Sequence, residues 1–222
     1  MRCFAGSGTM ERVTSPNPRR PILPGNKLFE SLPGASDPAT VTEVAHRTAE
    51  LLVRGVRNSE DTEVHARVVK LADDYGLDEL AELWSDSPSD SLPGALWRLY
   101  LLQLMIHDDP QTAALLYQRG RVEISSADEV VAGAPNPAGP DELVALIDTI
   151  LRGLFEGDFA VALDRAAAFC RVQAAGSSHL ADDYEHTEPE RASVLTTRAL
   201  RLADYASDIA ACAALWRRDA LT

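Results

Sequence analysis

The chain has 222 residues, 45% of them hydrophobic and 25% charged, which is long enough to bury a sizeable core. Its formal net charge is -13 and its pI is near 4.7, so long-range electrostatics repel nucleic-acid backbones and anionic membrane surfaces. Aromatics make up only 6%, leaving the core to Leu, Ala and Val, a mixture that favours helices.

Residues 1–36 differ from everything after them. Five of the thirteen prolines fall there (Pro16, Pro18, Pro21, Pro24 and Pro33), with five basic residues opposed only by Glu11 and Glu30. Proline blocks helix interiors and extends its neighbours, so this segment reads as an extended basic arm, partly disordered. Its apolar residues, Phe29 among them, and its Arg19–Arg20 pair suit either the acidic body of the same chain or a partner's surface.

From residue 37 helix punctuation is regular, and a single all-α domain over 37–222 is expected. Asp37 and Pro38 open a helix to about Arg57, with Val41, Val44, Ala45, Thr48, Leu51, Leu52 and Val56 at helical spacing. A second helix starts near Asn58 and stops at Gly76, and a short third covers Asp78 to Trp84. The fourth, Leu92 to His107, is apolar on nearly every side, which predicts burial all round. That stretch is too short to cross a membrane and carries Arg98.

Asp109 and Pro110 open a fifth helix ending near Gly120, followed by a Gly/Pro loop up to Pro140. A sixth helix runs from Pro140 to about Glu156, and a seventh from Asp158 to Gly176. An acidic loop then leads to a long final helix from Glu188 or Pro189 to about Ala220. Strand signals are nearly absent. The expected fold is an antiparallel helical bundle, or a short helical-repeat array, of about eight helices.

The repeat possibility has a specific basis. Shifting the chain by 47 residues places Pro93 on Pro140, Leu96 on Leu143, Leu99 on Leu146, Leu104 on Leu151, Ala113 on Ala160 and Leu116 on Leu163. Gly157-Asp158-Phe159, followed by Ala162, Leu163 and Ala166, resembles the hairpin of a tetratricopeptide repeat. That resemblance covers one hairpin and implies closely paired helices.

Cys3, Cys170 and Cys212 form neither a disulfide framework nor a zinc pattern, and the latter two sit in apolar surroundings as small hydrophobes. Residues 1–10 lack the apolar run of a secretory leader, so a cytoplasmic location is expected. Only two of the 21 basic residues are lysines, Lys27 and Lys70, the usage of a high-GC bacterial genome.

Two constellations could carry function. Leu195, Leu202, Ile209 and Trp216 recur every seven residues on the final helix, with Ala199, Ala206 and Ala213 between them. Such a seam faces either the chain's own core or the matching seam of a homodimer. The second constellation is the acidic segment holding His179, Asp182, Asp183, Glu185 and His186, where metal ligands gather without the spacing of a recurrent site. Glu43 and His46 supply half of a di-iron carboxylate motif, but no second Glu-x-x-His follows. No Gly-rich phosphate loop and no partnered nucleophile is present, and no cofactor is expected.

The run from Arg198-Ala-Leu-Arg201 to Tyr205, with Ala214-Leu-Trp216-Arg-Arg218, resembles a small actinobacterial family of helical proteins. Some of its members carry the label of an RNA polymerase β subunit. These 222 residues hold none of that subunit's barrel domains, so the resemblance implies association with polymerase rather than catalysis. The functional expectation is a non-catalytic helical module that binds a protein partner or a second copy of itself. The alternatives are an enzyme or a ligand- or metal-binding bundle with its pocket near residues 179–190, and a transcription-associated regulator acting by protein contact.

Overall fold

The computed structural model describes residues 38–54, 77–124, 139–153 and 155–222. The basic arm with Arg19, Arg20 and Phe29, the second expected helix with His65, and most of the Gly/Pro loop lie outside the described residues. Within them the chain is all-helical: α1 (Pro38–Arg54), α2 (Leu77–Glu82), α3 (Leu92–Asp108), α4 (Pro110–Glu123), α5 (Pro140–Leu151), α6 (Phe159–Tyr184) and α7 (Pro189–Trp216).

The helix starts follow local chemistry. The Ser91 hydroxyl accepts from the Gly94 amide at 3.2 Å, and the Asp109 carboxylate accepts from Thr112 at 3.0 Å. Asp158 accepts from Ala160 at 2.8 Å. Each satisfies an amide that the first helical turn leaves open. Proline occupies the first turn of α3, α4, α5 and α7, where its missing N–H is no loss.

One apolar cluster draws on all seven helices, through residues such as Ala45, Leu80, Leu96, Ala113, Leu143, Phe169 and Ile209. A smaller cluster of Leu116, Leu180, Ala181, Ala192 and Leu195 joins α4, α6 and α7. The most extensive packing runs along α6 and α7, joined by the short turn 185–188 and therefore antiparallel neighbours, and between α4 and α6. By contrast, α3 with α4 and α5 with α6 share little contact. The two sequence hairpins therefore do not close on themselves as tetratricopeptide hairpins do. Their 47-residue register also slips, with Leu104 exposed while Leu151 is buried.

Three boundaries differ from the sequence expectation, each for a local reason. α5 stops at Leu151 because Gly153 follows with φ 68°, a left-handed position that turns the chain. α6 does not close at Gly176 but continues to Tyr184, so most of the expected acidic loop is helix. Gly176 is instead a contact glycine: a Cβ there would lie 1.9 Å from the Leu116 carbonyl oxygen of α4. Gly120 faces Val172 reciprocally at the same distance. α7 ends at Trp216 in a Schellman turn, with Asp219 at φ 53° and the Ala220 amide bonded to the Leu215 carbonyl at 3.0 Å.

The residues after α7 tie the fold together. Leu221 is fully buried, its carbonyl accepts from Arg54 Nη2 at 3.1 Å, and the Thr222 oxygen accepts from the Leu92 amide at 2.8 Å. Trp84, also buried, donates from Nε1 to the Thr48 hydroxyl of α1 at 3.1 Å.

Candidate functional site

α3 departs from the expectation of burial on every side. Leu92, Leu96, Leu99, Leu102 and Ile106 are buried, but Trp97, Tyr100, Leu101 and Met105 are only half-buried and Leu104 is 40% exposed. Residues 97, 100, 101 and 104 share one face of a helix, so an apolar stripe reaches solvent. Trp97 and Tyr100 stack at 5.5 Å between ring centroids, and the Tyr100 hydroxyl donates to Asp78 at 2.8 Å. Burial and the nearby Asp78 carboxylate push the Tyr100 phenol up to about 12.

Beside this stripe lies an open groove of about 520 Å³ between α3 and α7. Leu101, Leu102 and Met105 form its α3 wall, and Val194, Arg198, Arg201, Leu202 and Tyr205 are among the α7 residues that face them. Val194 on this wall is 68% exposed.

The groove's charge is local and positive. Neighbouring Arg98 is already committed, bonded to Asp208 at 2.8 Å and to the Gly94 carbonyl at 3.1 Å. Arg198 is not: its Nε and Nη2 are buried without a hydrogen-bond partner. Burial lowers the Arg198 guanidinium from its ordinary value, with Asp109 acting in the opposite direction, yet arginine keeps its charge in such settings. Desolvated donors left unpaired are costly, which makes this the most unbalanced polar group on the groove wall.

No protein-family model, curated protein or solved structure matches the chain.

The sequence candidates occupy other places. Of the heptad seam, Leu195, Leu202, Ala206, Ile209 and Ala213 are buried within the chain, and Ala199 and Trp216 are half-buried. Trp216 meets Phe159 edge-on at 5.0 Å, with the Arg54 guanidinium 4.7 Å above its ring. Five of the seven seam residues thus pack against the chain's own helices, and of the seam only Leu202 lines the groove.

The residues weighed as metal ligands are spread along the end of α6 and the turn after it. His179 pairs with Glu123 of α4 at 3.3 Å, and Asp183 with Arg119 at 2.6 Å. Asp182, Glu185 and His186 are exposed. Among the described residues, no group of three or more His, Cys, Asp or Glu side chains could hold a metal ion, and Glu43 and His46 join none. The segment 179–190 lines neither the groove nor a second cavity of about 440 Å³ beside Gln103, His107 and Asp141. Cys170 and Cys212 are fully buried, and burial pushes their thiols up to about 12 and about 11, away from nucleophilic use.

Sequence reasoning missed Leu101, Met105 and Val194 as surface residues. A faint signal existed: Val194 and Leu200 sit off the heptad seam among Ser193, Thr196, Thr197, Arg198 and Arg201.

Proposed function

We propose that the protein is a non-catalytic docking module that receives a segment of another protein in the α3–α7 groove. What carries this reading is an open apolar trough continuous with the exposed stripe of α3. Apolar side chains that stay exposed beside a groove, as Leu104 and Val194 do, suit the reception of a partner. The groove lining is mostly aliphatic and aromatic with a few fixed polar groups, the composition of a recognition surface. Arg198, Arg201 and Tyr205, which belong to the run that resembles the actinobacterial helical family, stand on its wall. A polymerase subunit as partner would extend that resemblance into function.

Site-directed photo-crosslinking tests the reading. Benzoylphenylalanine placed at Val194 should give discrete protein adducts in cells of the native host. The same group at Val122, 82% exposed and outside the groove, should give none of them. Adding Leu104→Glu should abolish the Val194 adducts. Identical adduct patterns at both positions, or none at Val194, would remove the groove as a docking site.

A further inference from the structure

We infer that the occupant of the groove is an amphipathic helix with one carboxylate set among its apolar anchors, its outward face basic or neutral. This rests on the docking reading above and adds the partner's chemistry. The α7 wall runs from Ser193 to Tyr205, a length of about 18 Å or some three helical turns at 1.5 Å per residue. Val194, Arg198, Arg201 and Tyr205 follow at steps of four, three and four residues, a continuous ridge along one side of α7. A second helix laid against such a ridge presents anchors at i, i+4 and i+7, the usual geometry of a helix held in a groove.

The charges select the type of helix. Arg198 lines the wall with a half-buried guanidinium whose Nε and Nη2 have no hydrogen-bond partner, and exposed Arg201 adds a second cation on the same wall. A carboxylate reaching Arg198 forms a charge-assisted bond in a dry setting, where it is strongest. The molecule as a whole carries a net charge of -13, so further acidic residues on the occupant meet repulsion at longer range. One acid in register with Arg198, within an otherwise basic or neutral helix, satisfies both fields and fixes the direction of docking.

The test is selection from a displayed library of 16-residue helices on the full-length chain. Leu, Phe or Met is held at i, i+4, i+7 and i+11, and every other position is free. Selected sequences should carry Asp or Glu at one fixed position beside the anchors and Lys or Arg on the outer face. Arg198→Gln should weaken them at least tenfold, while Arg165→Gln on exposed α6 surface leaves them unchanged. Arg198→Glu should be rescued when the peptide's acid becomes Lys, a result that a merely unfolded variant cannot give.

Binders with no fixed acid and equal affinity for Arg198→Gln would overturn the inference. So would a failure to select any helix, or dodecanoate binding to the groove where helices do not, which would make it a small-amphiphile site. Self-association through the groove, blocked by Val194→Asp, would name a second copy as occupant and equally overturn it. If Val194 crosslinks are recovered but selected helices lack the acid, only the partner's chemistry is wrong; loss of the crosslinks removes the docking site itself.

Discussion

Gly176→Ala lowers the stability of the protein by about 2–4 kcal/mol, although alanine is by itself the better helix former by about 1 kcal/mol. The added methyl meets backbone: its carbon would sit 1.9 Å from the Leu116 carbonyl oxygen and 2.9 Å from the Gly120 amide nitrogen. No rotamer relieves that contact, so α4 has to move away from α6. Moving it loosens fully buried Leu116 and the bond from Gln173 Nε2 to the Ala113 carbonyl at 2.6 Å. It also disturbs the stack of Tyr117 on Phe169, whose centroids are 5.8 Å apart. For a domain of this size the melting temperature should fall by roughly 5–15 °C. Gly120→Ala should do the same from the other side, and the double variant should lose less than the sum, because the first substitution has already parted the helices. A melting temperature unchanged or raised in Gly176→Ala would mean that the helices do not cross here.

The second large effect concerns the seam of α7. Ala206 is 2% exposed and belongs to the main apolar cluster with Leu202, Ile209 and Ala213. Ala206→Glu places a longer, ionisable side chain inside that cluster, so overpacking and desolvation act together. A loss of about 3–5 kcal/mol is expected. Because the seam is filled by the chain's own helices, the drop in melting temperature should be the same at every protein concentration. A seam shared between two copies would instead give a loss that depends on concentration, as mass action demands. Thermal melts of both chains over a hundredfold range of concentration separate the two cases.

Helix starts were the most legible feature of the sequence, because a cap is a local event. Asp109 before Pro110 and Asp158 before Phe159 act through amides two or three residues away, and the prolines opening α5 and α7 act through their own fixed φ and missing N–H. Glycine was ambiguous for a physical reason. Gly153 and Gly176 are the same residue, yet the first ends a helix through its positive φ and the second stays inside one to admit a neighbouring backbone. For Gly176 the answer depends on Leu116 and Gly120 of α4, far away in sequence.

The site was less legible than the fold. The apolarity of α3 announced that it contacts other helices, but not that one face would remain uncovered at Trp97, Tyr100 and Leu104. The heptads of α7 announced a packed seam, and five of its seven residues are buried, but periodicity carries no information on whose helix fills it. Arg198 drew notice only within a resembling run. Its distinction is a pairing it fails to make while Arg98 makes one, and that appears only with the helices in place.

The openness of the α3–α7 groove to an apolar ligand that carries an acidic group can be measured without knowing the partner, using the dianionic aromatic photolabel bis-ANS on the native full-length chain. Mass spectrometry of the digested, irradiated protein should find the label within residues 97–105 and 193–205, and Leu104→Glu with Arg198→Gln should remove it. Label concentrated elsewhere, around exposed Val122 or Val161 for example, or labelling indifferent to those two substitutions, would contradict the groove as the molecule's docking surface.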